Sequence, residues 1–205
     1  MRRHAAHDAA PSGFTSFAAA FGRAAGRPFA RTRYGMGLAL LLTGAAFLMS
    51  AVLFGLQYQA DGPLIYDLGG WPAPLGIVYV IDAASALVLP VVSGLAFVAT
   101  IAARRLVEAE IDARDHALFY AAWLLTIAGM LGQVTTGDAF NIFVFLEISS
   151  LSAYALVAMG AGRDRRALPA AFNYLILGTV GATFYVIGLG LLYMLTGTLN
   201  LMDLS

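Results

Sequence analysis

Glu147 stands in a run of apolar residues, with Phe143, Val144, Phe145 and Leu146 before it and Ile148 after it. A carboxyl in such company has two uses. Apolar surroundings favour its uncharged form and a cation brought within reach favours the charged one, so it can load and release a proton. Alternatively it pins two helices together through a hydrogen bond. All twelve basic residues are Arg, none is Lys, and none of them lies near Glu147 in the sequence.

The other polar residues that interrupt apolar runs are of lesser kinds. Asp82 precedes Ala83, Ala84 and Ser85, and Asp138 follows Thr135, Thr136 and Gly137. An acid in front of an apolar run is placed to cap a helix and to meet the positive end of its dipole. Asn141 lies a turn beyond Asp138 and could hydrogen-bond across helices. Gln133, Thr126, Asn173, Thr179 and Thr183 read as interhelical hydrogen-bonding groups. His116 has the chemistry for a proton relay, but Asp112, Arg114 and Asp115 beside it suggest a solvated loop. The chain has no Cys, and His4, His7 and His116 are too scattered for a metal site. No metal and no cofactor is therefore expected. Glycine-rich phosphate loops, nucleophile elbows and paired catalytic carboxylates are not evident. The chain is not expected to be an enzyme by itself, and nothing in it suggests a nucleic-acid partner.

What positions these residues follows from composition. Sixty per cent hydrophobic and 12% charged residues contrast with about 45–50% and about 25% in soluble domains. The solvent implied is a lipid bilayer. Apolar stretches lie near 36–57, 80–103, 117–135, 139–160 and 169–195, each close to the ~20 residues that cross ~30 Å of hydrocarbon. Backbone groups within lipid must be satisfied inside the segment, which predicts helices. The expected fold is thus all-α, a polytopic transmembrane helical bundle of about five spans. Residues 58–79, rich in Pro and Gly around Tyr66 and Trp71, should form a non-helical loop. Counting from the start of the fourth span puts Glu147 about 12–13 Å deep, near the midplane. It shares a stripe with Phe140, Phe143, Ser150, Leu151 and Tyr154, opposite Asn141, Ser149 and Ser152.

Arg occurs only in 1–33, in Arg104, Arg105 and Arg114, and in Arg163, Arg165 and Arg166. Those segments alternate with 58–79, 136–138 and 196–205, which carry acids and no base. By the positive-inside rule the N-terminus is cytoplasmic and the C-terminus outside. Residues 1–33 can also be read as a transit peptide, but Arg beside a first span favours a cytoplasmic tail ahead of one membrane domain, 34–205. The expected location is a cell (inner) membrane, crossed several times.

The run 136–158, TGDAFNIFVFLEISSLSAYALVA, resembles the antiporter-like subunits of respiratory complex I and of Mrp-type cation/proton antiporters. The resemblance continues through 165–181, RRALPAAFNYLILGTVG, and 196–200, TGTLN. Residues 66–77, YDLGGWPAPLGI, followed by the Asp82 segment, look most like the D subunit of the Mrp antiporter. The resemblance implies a proton path through Glu147, worked together with a Lys on a later, broken helix. It also implies other subunits of a multi-subunit membrane complex as partners, and protons and monovalent cations such as Na+ as cargo. Relatives carry further spans that include that Lys, and Asn173 stands where they often have a basic residue. A fragment or a short divergent product is therefore expected. Three functions remain: a subunit of an Mrp-type Na+/H+ antiporter, a proton-pumping subunit of an NADH-quinone oxidoreductase, and a structural or truncated membrane subunit without transport.

Overall fold

The computed structural model describes residues 32–71, 73 and 76–204. The expected Arg-rich tail, up to residue 31, lies outside the described residues. Five long helices follow one another: α1 (Thr32–Gln59), α2 (Ala83–Glu110), α3 (His116–Thr135), α4 (Ala139–Met159) and α5 (Ala167–Thr196). All five are long and apolar enough to cross a membrane. Between α1 and α2 stands an antiparallel hairpin of β1 (Leu64–Asp67) and β2 (Val78–Ile81), in register from Leu64 opposite Ile81 to Asp67 opposite Val78. Gly69 and Gly70 take positive φ in the short 3-10 turn after β1, a conformation nearly closed to side chains with a Cβ.

That hairpin moves one expected boundary. The second span does not begin near residue 80, because residues 78–81 are strand and the helix starts at Ala83, running on to Glu110. The segment Val-Tyr-Val-Ile is apolar, so hydropathy joins it to the span. Its residues are β-branched and aromatic, and they pair with β1 instead.

Small residues set how the helices meet. Phe97 of α2 covers Gly44 of α1, and Phe47 of α1 covers Gly94 of α2; a Cβ would stand 3.2 Å and 3.0 Å from the respective rings. Buried hydroxyls on these two helices, Thr43, Ser93 and Thr100, each donate at 2.7 Å to the carbonyl four residues back. Their polar atoms are therefore satisfied without a partner helix. Thr100 also accepts the Trp123 indole N–H at 2.8 Å, which ties α2 to α3. On α3, a Cβ at Gly129 would come within 2.7 Å of the Ser149 amide nitrogen, and one at Gly132 would overlap the Phe145 ring. Backbone approach that close is what glycine permits in membrane helices. The Tyr154 hydroxyl of α4 fills the space a Cβ would need at Gly178 of α5.

The two ends of the bundle differ. At one end a backbone seam joins three segments: the Gly137 amide donates to Val78 at 2.8 Å, Leu201 donates to Gly137 at 2.9 Å, and Ala139 donates to Leu199 at 2.9 Å. At the other end lie the Arg-bearing connections. Arg104 pairs with Glu108 at 3.3 Å, and Arg114 with Asp112 and Asp115 at 3.3 and 3.4 Å. The Arg163 guanidinium donates to the Ala109 carbonyl at 3.0 Å, linking the two connections.

Candidate functional site

Glu147 is the ninth residue of the 21-residue α4, eight past Ala139, or about 12 Å along a helix of about 31 Å. On one side of it the stripe faces α5. Phe143 stacks on Tyr185, with ring centroids 6.3 Å apart and planes 12° from parallel. Two turns beyond Glu147, Tyr154 meets Tyr174 edge-on at 4.6 Å. On its other side Phe140, Val144 and Leu151 are exposed. Glu147 therefore stands at the margin of the α4–α5 contact, half-buried. Among the described residues no hydrogen bond or ion pair engages its carboxyl, and all three ion pairs lie in or near the Arg-bearing connections.

The remaining candidates do not gather around it. Asp82 caps α2: its carboxylate accepts the Ser85 amide at 2.7 Å, and the Ser85 hydroxyl accepts the Asp82 amide at 2.9 Å. The carboxylate also accepts the Ser85 hydroxyl at 2.7 Å, and the bonds it accepts from Ser85, the backbone one first, hold the Asp82 carboxyl below the usual aspartate range. Asp138 caps α4 by accepting the Asn141 amide at 2.7 Å. The buried Asn141 side chain donates to the Thr136 hydroxyl at 3.0 Å, so its bond goes to the end of α3 rather than deep into a neighbouring span. Gln133 of α3 donates to the Ser149 hydroxyl of α4 at 2.9 Å. Asn173 is exposed on α5, six residues from its start, with no hydrogen-bond partner among the described residues. His116 departs from the solvated setting expected of it. It is 8% exposed, because its ring nitrogen Nε2 reaches the Ile111 carbonyl at 2.9 Å and the ring folds under the end of α2.

Residue type and spacing do not single out Ser149 or Trp123. The helical wheel puts Ser149 on the face of α4 opposite Glu147, which is the face that meets Gly129 and Gln133. Gly129 and Gly132, three apart on α3, are the signal that such a face has to be close-packed.

Residues 136–205 match the family described as NADH:quinone oxidoreductase/Mrp antiporter, TM. The chain is 42% identical over 168 residues to the N subunit of the NADH-quinone oxidoreductase of Desulforudis audaxviator, covering 82% of this chain and 32% of that protein. The chain is related to the antiporter-like membrane subunits of the complex I and Mrp family. A second relative is the D subunit of a probable K(+)/H(+) antiporter of Rhizobium meliloti, 37% identical, with 80% of this chain and 30% of that protein covered. Its fold is shared with a chain of the Mrp complex from Dietzia sp. at TM-score 0.75 and 28% identity, over 92% of this chain and 35% of that one. It is shared too with a chain of the membrane-bound sulfane sulfur reductase, an archaeal respiratory membrane complex, at TM-score 0.71 and 33% identity, over 80% and 33%. The chain thus spans about a third of the length of the curated relatives it matches. It is a multi-pass membrane protein.

Proposed function

We propose that this chain forms part of a proton path in a multi-subunit monovalent cation/proton antiporter, with Glu147 as the group that takes up and releases the proton. The observation that carries the reading is an acid in the interior of a membrane-length helix, more than two turns from its nearer end, with no partner for its charge among the described residues. Such a group is costly in lipid, by about 2.5–3.5 kcal/mol on insertion scales, and marks ion or proton paths. Relatives named as D subunits of Na(+)/H(+) and K(+)/H(+) antiporters support cation exchange as the setting. Other subunits of a membrane complex are the partners, Na+ or a similar monovalent ion is the counter-cargo, and the membrane is the cell's inner one. The Arg-bearing end faces the cytoplasm, with 1–33 a tail on that side, and the hairpin faces out. The chain does no redox chemistry of its own.

In the assembled complex, Glu147→Gln lowers cation-driven proton flux in vesicles roughly tenfold or more, while the complex still assembles. Flux equal to the wild type removes the proton-path role. A second setting, the membrane arm of a proton-pumping NADH-quinone oxidoreductase, is favoured by the 42% identity to an N subunit. There the same substitution lowers proton pumping driven by quinone reduction and leaves cation exchange untouched.

A further inference from the structure

Phe145 and Ser149 stand two residues before and two after Glu147 on α4, so each lies about 160° round the helix from it, one on either hand. Together they mark the face of α4 that points away from the carboxyl. Three residues within one turn of α3, Gly129, Gly132 and Gln133, take hold of this pair. A Cβ at Gly129 would stand 2.7 Å from the Ser149 amide nitrogen and 2.8 Å from the Phe145 carbonyl oxygen, and one at Gly132 would fall on the Phe145 ring. Gln133 directs its amide at the same two residues: Nε2 donates to the Ser149 hydroxyl at 2.9 Å and to the Phe145 carbonyl at 3.4 Å. The Ser149 hydroxyl donates its own hydrogen to the Leu146 carbonyl at 2.9 Å, which leaves a lone pair for Gln133. Among the described residues, these bonds of Gln133 are the side-chain hydrogen bonds that join a residue within α3 to one within α4. Apolar contact has no direction of its own and lets a helix that is apolar almost all round turn in its seat. A directed bond does not.

The geometry points to a clamp: Gly129, Gly132 and Gln133 fix the rotation of α4 through Phe145 and Ser149, and so hold Glu147 at the α4–α5 margin. Gln133 is the positioning residue, because it supplies the directed bonds; the two glycines bring the helices close enough for its side chain to reach. The purpose given to the clamp rests on the proton-path reading above, whereas its geometry does not. A carboxyl that exchanges a proton must meet its donor and acceptor at hydrogen-bond distance, and even a partial turn of α4 swings the Glu147 side chain out of that reach.

The rotation of α4 can be read directly, because the chain contains no cysteine and an introduced pair supplies the sole thiols in this subunit. Phe143 stacks on Tyr185 of α5, while Val144, the next residue, is exposed. In the assembled complex, a short membrane-permeant bifunctional thiosulfonate should link Phe143→Cys to Tyr185→Cys much faster than Val144→Cys to Tyr185→Cys. Gln133→Met, which keeps the length and removes the amide, should narrow that preference several-fold. Ser149→Ala should do the same from the other helix, and the two together should narrow it no further than either alone. Thr126→Val, whose hydroxyl bonds only within α3, should leave it unchanged. With no cysteine introduced, Gln133→Met should lower the maximal cation-driven proton flux per assembled complex several-fold and leave the cation concentration for half-maximal flux unaltered. An unchanged linking preference in both Gln133→Met and Ser149→Ala overturns the clamp, and Ser149→Ala decides the matter should Gln133→Met fail to assemble. A narrowed preference with full maximal flux overturns the positioning role. A narrowed preference together with wild-type flux in Glu147→Gln keeps the clamp and discards the carboxyl's role.

Discussion

At the mouth of α2 the Asp82 carboxylate accepts the Ser85 amide and the Ser85 hydroxyl, both at 2.7 Å, while that hydroxyl accepts the Asp82 amide at 2.9 Å. Loss of such a cap costs about 1 kcal/mol, so Asp82→Ala should unfold at lower temperature in detergent while Asp82→Asn stays close to the wild type. Because the folded carboxyl is held below its ordinary value of 3.8, the charged form is the stabilised one. Its contribution is present above that ordinary value and is lost as pH falls through the lower folded one. The gap between wild type and Asp82→Ala at neutral pH should therefore shrink in strong acid. The cap was readable from sequence because it needs only an acid and a serine three apart. The place of Glu147 along α4 was readable too, since it follows from counting along one helix. The burial of His116 was not, because it depends on where the last turn of α2 leaves the Ile111 carbonyl.

Helix contacts here are made by what the side chains lack. Gly129→Ala should force α3 and α4 apart against the backbone of α4, an overpacking cost of about 1–3 kcal/mol. Gly188→Ala, with nothing within 4 Å of the added methyl, should leave thermal stability and assembly unchanged. Between α2 and α3, Thr100→Val removes the acceptor of the Trp123 indole. Interhelical bonds of this kind are worth about 0.6–2 kcal/mol in membranes, and denaturation in mild detergent should read a loss in that range. The spans were legible because lipid demands long apolar helices. Their partners were not, since all five helices are apolar around most of their circumference and no stripe tells which face meets which. The start of the second span was misplaced for a related reason: Val78–Ile81 is as apolar as the helix it precedes, and only pairing with Leu64–Asp67 reveals it as strand.

Many large apolar side chains face outward, among them Leu177 at 73%, Phe184 at 71% and Leu195 at 85% exposure on α5. A surface like that suits hydrocarbon or neighbouring membrane helices. The Arg-bearing connections share one end and the hairpin, 136–138 and 199–201 share the other. That arrangement was legible from the alternation of charge. Impermeant thiol reagents should accordingly label Asp112→Cys only from the cytoplasmic side and Asp61→Cys only from outside; labelling of both from one side would refute the orientation. The seam at the hairpin end was not foreseeable, since it joins stretches more than fifty residues apart through backbone atoms that carry no sequence signature. Its middle strand is held from both flanks, by Val78 and by Leu201. During synthesis the Leu201 flank leaves the ribosome last. Until the fifth helix is threaded into lipid, the nascent chain shows the Gly137 carbonyl and the Ala139 amide as an unzipped edge, the kind of edge that strays into pairing with other chains. The ribbon is thus a late clasp, and its fastening coincides with completed insertion of these five helices.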